Sequence, residues 1–534
     1  MRWANQQSRT KRSIAPAALA STCGIIGAGT IIAASIVYWG PVAHAEAPPA
    51  EEKKFIRLDE VKQHGKSADR KWVIKGTRVF DITDWIAAHP GGPVIIRAVG
   101  GSIDPYWDIF SIHQNPDVYD ILEDYFIGDI DPRDLVNGAV GSDNIEDPFV
   151  NDPPRDSSLI QHTEKPCNAE TPTSLLDTFI TPNEVFYVRN HLWVPEVEGT
   201  THTLTVELPD GNEKEYTLAE LKSKFAPFHI TATLQCSGNR RKHMSAGARH
   251  AAGLQWDIGA ISNAKWTGVR LRDVLRDAGV DVDARYLEDA KHVQFVGAEA
   301  YGASIPIDKA LQARGDVMLA YEMNGRALPR DHGYPLRVLV PGHTAARSVK
   351  WLEKIILSEE ESQSQWQQRD YKCFGPNQTG KDLDWSSAPA IQETPVQSAM
   401  TSIKEVSPGS FDASRELQKP GLTEDAVQVA GYALSGGGRE IIRVDISADG
   451  GSTWQQAVLL PDEAEGQQSW SWKRWHAIVS RPVVGSEMVV KAIDDGYNTQ
   501  PESYVGQYNF RGNLTTAWHR VRYPFSEDRP TDQS

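Results

Sequence analysis

Thr233-Leu234-Gln235-Cys236-Ser237-Gly238-Asn239-Arg240-Arg241 is the stretch on which the reading of this 534-residue chain turns. Residues Ile230 to Leu234 read as a strand running into a cysteine, a Gly-Asn turn and two arginines. A thiolate is soft and suits a thiophilic metal. Neighbouring arginines favour the thiolate form and can hold an oxyanion through paired hydrogen bonds. Taken alone, Cys236 fits a buried structural cysteine or a reactive nucleophile. The positive charge beside it turns the reading away from the structural one.

Four more segments add cations. Tyr187-Val188-Arg189-Asn190-His191 offers an arginine among polar neighbours. Arg330-Asp331-His332-Gly333-Tyr334-Pro335-Leu336-Arg337 places basic groups around a turn before a buried strand, Val338 to Val340. Arg347-Ser348-Val349-Lys350-Trp351-Leu352 supplies a hydroxyl and two cations, and Arg369-Asp370-Tyr371 ends the region. Any one of these is ordinary surface charge. As a set, in a chain of net charge −16, they call for an anionic cofactor such as a phosphorylated organic ligand. That net charge also argues against nucleic acid as a partner and suits a basic protein instead. The cysteines are Cys23, Cys167, Cys236 and Cys373, too few and too scattered for a disulfide framework or a C-x-x-C zinc site.

A second constellation lies upstream. Lys71-Trp72-Val73-Ile74 and Val79-Phe80-Asp81-Ile82 flank Gly76 as a hairpin, and Thr83 or Asp84 is placed to cap a short helix carrying Trp85 and Ile86. His89-Pro90-Gly91-Gly92 follows, with His113 24 residues on and Ile95, Ile96, Val99, Trp107, Ile109 and Phe110 between. Haem iron held by two imidazoles needs one histidine on each face of the ring. The Pro-Gly-Gly turn can present His89 and let the backbone approach the porphyrin. A lone histidine would be a surface or core residue, but the constellation resembles the cytochrome b5 family over about 80 residues, which implies His89 and His113 as axial ligands of a b-type haem. Residues 51–150 hold 19 acidic against 11 basic residues, a net of −8, which suits a face docking a basic electron acceptor or a merely solvated surface.

Together the central motifs resemble the sulfite oxidase family, through the central region and into the tail. The resemblance implies Cys236 as the protein ligand of a molybdenum–molybdopterin cofactor. It implies Tyr187, Val188, Arg189, Asn190, His191, His332, Arg337, Ser348, Val349 and Lys350 as cofactor-binding groups. Its anion pocket matches Arg189, Arg241, Trp256, Tyr371 and Arg511, the last from Asn509-Phe510-Arg511-Gly512 in the tail. Cys236, Tyr371, Arg189 and Arg241 would form the catalytic set, with Tyr371 positioning substrate or assisting proton and electron movement. The implied reaction is oxygen-atom transfer that converts sulfite to sulfate, with electrons passing singly through the haem to cytochrome c. This sequence departs from vertebrate members at Gly297–Gly302, where Glu299 stands in for an aspartate contact to the pterin. It departs also at Gly342-His343-Thr344 and in a His89–His113 spacing one residue shorter.

The expected organisation is multidomain α+β. Residues 1–46 form a mitochondrial presequence, basic and free of acids before Glu46, with an apolar run Ile25 to Trp39 and a small-x-small site at Ala43-His44-Ala45. An export signal or retained anchor fits the same pattern. The presequence implies the mitochondrial intermembrane space, with membrane contact only through the leader. Residues 52–132 form the small α+β haem domain and 133–155 a flexible linker that lets it swing. Residues 156–385 form a mixed α/β molybdopterin domain, and 386–534 an immunoglobulin-like β-sandwich, which by resemblance forms a homodimer. In the tail, Ile442, Val444 and Ile446 alternate with Ile441, Arg443, Asp445 and Ser447, and the tryptophans of Ser469–Trp475 read as sandwich core. Two other functions stay open. Nitrate reductase shares these folds but places its haem domain after the molybdenum domain. A non-catalytic haem carrier would leave Cys236, Arg240 and Arg241 unexplained.

Overall fold

The hairpin around Gly76 forms where its alternating residues place it. Strands Trp72–Lys75 and Arg78–Asp81 pair with Ile74 opposite Val79, and Gly76 takes a left-handed φ of 62°. They join Phe126–Ile130 and, in parallel, Phe55–Ile56 in a four-stranded sheet. Short helices Asp104–Ile109 and Pro116–Glu123 close over it, and Val73, Phe80, Ile82, Ala98, Trp107 and Leu122 form the core. Thr83 does not cap a helix among the described residues. Its hydroxyl accepts the Lys71 N–H at 2.8 Å and bonds Asp81 instead.

The structure is a computed structural model. It describes residues 54–86, 89, 92–110, 113, 116–141, 147–284, 287–298, 301–378, 383–406, 426–461, 464 and 468–524. The expected presequence, the residues Pro90 and Gly91, and Glu299 lie outside that set.

The central region is built on two five-stranded sheets. In one, Phe228–Gln235 pairs with Ile261–Arg270, which pairs with Met318–Met323, and Arg337–Leu339 adds to the far side. In the other, Gly302–Pro306, His292–Gly297, Leu352–Ser358, Thr203–Glu207 and Glu213–Thr217 lie in order, with one parallel pairing. Helix Leu271–Ala278 buries Leu271, Val274 and Leu275 against them and stops at Gly279, whose φ of 110° suits a left-handed cap. Helix Leu218–Lys224 starts with a reciprocal capping box between Thr217 and Glu220.

The tail is a sandwich of two antiparallel four-stranded sheets, with Val429, Trp475 and Ala477 of one facing Val444, Ile446 and Val490 of the other. A bulge between Ile441 and Arg443 shifts the expected alternation. It puts Ile441 in the core beside Val444 and Ile446, and leaves Ile442 39% exposed. Of the nearby tryptophans only Trp475 belongs to the sandwich core. Trp470 and Trp472 are stitched to the central region: Thr233 N–H donates to Trp470 O at 3.0 Å, and Trp472 N–H to Thr233 Oγ1 at 2.8 Å.

The connector is held at both ends. Leu135 and Val140 pack on the small N-terminal sheet. Residues from Asp147 onward lie bonded along the central region: Lys165 to Asp147 at 2.6 Å, Val194 N–H to Asp152 at 2.9 Å, and Arg155 to both Asp152 and Asp331 at 2.9 Å. A wholly flexible 133–155 is therefore not what the described residues form.

Candidate cofactor sites

His89 and His113 line one cavity, beside the apolar side chains of Val73, Ile95, Ile103, Trp107 and Leu122. Their ring centroids are 6.1 Å apart with planes inclined by 23°. Two metal–imidazole bonds of about 2.0–2.1 Å, plus about 1.1 Å from each nitrogen to its ring centre, require roughly 6.2–6.4 Å. The spacing thus fits one iron between the rings. Burial first, and His89 second, push His113 down to about 4, so it stays neutral and can act as a ligand at physiological pH. The apolar walls suit a porphyrin face.

The second site starts at the end of strand Phe228–Gln235. Cys236 N–H donates to Ala260 O at 3.0 Å, and a turn through Gly238 and Asn239 leads to helix Arg241–Gly247. Arg240, in the left-handed region at φ 67°, turns its side chain away from the two that flank it in sequence. Its guanidinium is 0% exposed and donates to Ser398 O, Tyr504 Oη and Ala517 O at 2.7–3.2 Å, fastening the tail domain. Of the two adjacent arginines, only Arg241 faces the pocket. It lies against Gly238 and Gly512, where a Cβ would come within 2.6 Å and 2.5 Å of its side chain, so glycine is required for this close approach. Arg241 also donates to Arg511 O and Leu254 O, both at 2.7 Å.

Cys236 is 6% exposed and opens into a pocket with Tyr187, Arg189, Asn190, His191, His332, Arg337, Ser348, Val349, Lys350 and Tyr371. Of the expected cofactor residues among those described, Val188 stands apart, packed with Leu159, Cys167, Ala169 and Val185. Arg241, Trp256 and Arg511 line the neighbouring cavity with Cys236, Arg189 and Tyr371. The five expected anion-pocket residues therefore converge, with Arg511 arriving from the tail.

Electrostatics define what this site wants. Burial, chief among the causes, lowers Lys350 to about 7, Arg337 to about 10 and Arg241 to about 10. These cations are short of counter-charge: Asp331 is engaged by Arg155 and Asp370 by Arg511. The Nε atoms of Arg337 and Arg511 are buried without partners. His332, lowered to about 3, and His191, held well below its ordinary value, are both neutral through burial. A buried set of under-compensated cations around one thiol fits an anionic cofactor together with a small oxyanion. Among the described residues no three His, Cys, Asp or Glu side chains gather as a metal cage.

Sequence reasoning missed several participants. Asp331 is central: it binds Arg155, accepts the Asn190 amide at 2.8 Å, and its carbonyl accepts Lys350 at 2.9 Å. Asp370 pairs with Arg511, and Tyr301 and Trp366 pack on His191. Glu170 accepts His162 at 2.7 Å and the Asp257 and Gly259 N–H groups at 2.6 and 2.7 Å, fixing the loop that carries Trp256. Asp331 and Asp370 stood inside quoted segments. Nothing local marked Glu170.

Three families match along the chain: a cytochrome b5-like haem/steroid binding domain over residues 57–131, an oxidoreductase molybdopterin binding domain over 191–366, and a molybdenum-cofactor oxidoreductase dimerisation domain over 388–524. The chain is 47% identical to sulfite oxidase of Gallus gallus, covering 86% of this chain and 98% of that protein. It is 43% identical to mitochondrial sulfite oxidase of Homo sapiens, covering 88% and 84%. Against nitrate reductase of Hordeum vulgare the identity is 36%, covering 69% of this chain but 42% of that protein. The crystal structure of the sulfane dehydrogenase SoxCD from Paracoccus pantotrophus shares the fold, at a TM-score of 0.55, 24% identity and coverage of 74% of this chain and 96% of that one.

Proposed function

The chain belongs to the sulfite oxidase family, and from that premise we propose how its own residues carry out the reaction. It is an oxidoreductase that oxidises sulfite, with a molybdopterin cofactor and a haem. Molybdenum held by Cys236 supplies two-electron oxygen-atom transfer, and a haem held by His89 and His113 supplies a one-electron relay.

Arg337, His332, Ser348 and Lys350 hold the anionic and polar parts of the pterin, with Tyr187 and Asn190 beside them. Arg189, Arg241 and Arg511 would receive the sulfite anion against the wall of Trp256, their positive charge offsetting its negative charge. Burial, the leading cause, keeps the Tyr371 phenol well above its ordinary value, so it retains its proton at neutral pH. His191 Nε2 lies 2.9 Å from Tyr371 Oη and orients it. With the His191 proton on Nε2, the imidazole donates to Tyr371 Oη and leaves the phenol proton for a substrate oxygen. Asp370 holds Arg511 in place, which ties the tail domain to the pocket.

We assign cytochrome c as the electron acceptor by the resemblance to the sulfite oxidase family, and the net charge of −8 over residues 51–150 suits a basic partner. The dimerisation domain supports a homodimer. The mitochondrial relatives from human, mouse and fruit fly favour a mitochondrial location. We assign residues 1–46 as the presequence and the intermembrane space as the destination. The domain limits we adopt are 52–132, 133–155, 156–385 and 386–534.

The observation that carries this reading is the buried Cys236 thiol in a pocket of under-compensated cations. Sulfite-dependent cytochrome c reduction by the wild type and Cys236→Ser tests it. The variant should lose turnover by about a thousandfold or more. A serine variant that keeps wild-type turnover would refute the metal assignment.

A further inference from the structure

We infer that Asn513 is a positioning residue for sulfite oxidation: its single side-chain amide ties Arg511, Arg241, the Cys236 segment and the Tyr371 segment into one anion receptacle. The inference rests on the site assignments proposed above. Asn513 is 1% exposed and lines the cavity that holds Cys236, Arg241, Asp370, Tyr371 and Arg511. Its side-chain oxygen accepts the Ser237 hydroxyl at 2.9 Å and Arg241 Nη2 at 3.4 Å. Its side-chain nitrogen donates to Lys372 O at 3.3 Å. Ser237 follows Cys236 and Lys372 follows Tyr371, so this amide touches both segments that supply the chemistry. A guanidinium can only donate and a carbonyl can only accept, so the partners fix which way the amide faces. Asparagine meets that demand because one short planar group carries both an acceptor and a donor.

The turn that carries Arg511 is closed on itself and on the central region through the same residue. Asn509 Oδ1 accepts the Asn513 N–H at 3.0 Å, and Asn509 Nδ2 donates to Asn513 O at 2.9 Å. Gly512 N–H donates to Asn509 O at 2.9 Å, and Leu514 N–H donates to Ser237 O at 2.7 Å. Arg511 is thus held at two points. Asp370 pairs with its guanidinium, and the turn fixes its backbone, whose carbonyl accepts Arg241 Nε at 2.7 Å. A small oxyanion is gripped by cations spaced to match its oxygens, and a misplacement of about 1 Å in such a set costs up to about a hundredfold. Asn513 fixes that spacing without adding charge. A carboxylate in its place could still accept from Ser237 and Arg241, but it would oppose the Lys372 carbonyl and cancel part of the positive charge.

The test uses the loaded enzyme with Asn513→Ala, Asn513→Asp, Ser237→Ala and the Ser237→Ala/Asn513→Ala double variant. Sulfite–ferricyanide turnover gives kcat and KM, calorimetry on oxidised enzyme gives the Kd for sulfate, and metal analysis gives molybdenum content. KM and the sulfate Kd should rise together, about tenfold in Asn513→Ala and about thirtyfold or more in Asn513→Asp, with kcat within about threefold and molybdenum content unchanged. Ser237→Ala alone should raise both about threefold and add little to Asn513→Ala, because the two residues act through one bond. Unchanged KM and sulfate Kd in both Asn513 variants overturn the inference, as does a fall in kcat at constant KM and Kd, or full additivity in the double variant. Should the Asn513 variants lose their molybdenum, Ser237→Ala decides: a raised sulfate Kd upholds the role and an unchanged one overturns it. A wild type inactive toward sulfite refutes the proposed function instead, and the sulfate Kd values still judge Asn513.

Discussion

Lys350 makes a prediction that reaches from one side chain to the stability of the whole protein. Burial lowers it from the ordinary 10.5 to about 7, although Asp331 pulls the other way. Its ammonium donates to the carbonyls of Arg189 at 3.2 Å and Asp331 at 2.9 Å, and to the Asn190 amide oxygen. In protein lacking molybdopterin, the folded chain releases this proton near pH 7 and the unfolded chain near 10.5. Between those values the unfolded state binds more protons, so stability rises with pH, and below about 7 the full cost of burying the charge is present. At about 1.36 kcal/mol per pH unit the span is worth up to about 5 kcal/mol, and residual solvent contact brings it to about 2–4. An anionic cofactor restores the proton and flattens the slope. Denaturant unfolding of cofactor-free protein between pH 6.5 and 9.5, repeated for Lys350→Gln and for loaded enzyme, reads this directly. The cofactor-free wild type should gain stability with pH more steeply than Lys350→Gln, and the loaded enzyme should be nearly flat. Equal slopes in cofactor-free wild type and Lys350→Gln would refute the argument, since Lys309, also lowered to about 8 by burial, remains in both.

Three further predictions test other levels. His89→Ala should lose the six-coordinate haem spectrum on reduction, and a retained low-spin spectrum would remove His89 as a ligand. Glu170→Gln gives up one carboxylate oxygen that accepts an N–H group and sets an amide against it, a loss of about 1–3 kcal/mol in loop order. The KM for sulfite should rise about tenfold with a smaller change in kcat, because the loop positions Trp256, and an unchanged KM would count against that role. Trp475→Ala empties the sandwich core and strands the Tyr432 carbonyl that its indole N–H meets at 3.1 Å. Equilibrium unfolding should show a loss of about 3–5 kcal/mol, and a loss below about 1 kcal/mol would place Trp475 outside the core.

Local patterns carried a large part of this protein. Period-two alternation around Gly76 fixed the hairpin, because a strand pair with one buried face needs that spacing and that turn. His89 with His113, and Cys236 with its arginines, were legible because metal and anion chemistry restricts residue types within short stretches. Contacts between distant segments were decided only by tertiary structure. Adjacent in sequence, Arg240 and Arg241 looked alike. A left-handed backbone at Arg240 sends one into the tail domain and leaves the other in the pocket. The bulge at Ile441–Arg443 reversed which isoleucine is buried, since register depends on the partner strand. Asp331 and Glu170 act on groups far along the chain, and no local spacing announces a carboxylate whose partners arrive from other strands. Sequence thus set which chemical groups are present and the short-range geometry that each demands. The three-dimensional packing chose which of them share a cavity, because burial and charge compensation are properties of neighbours in space.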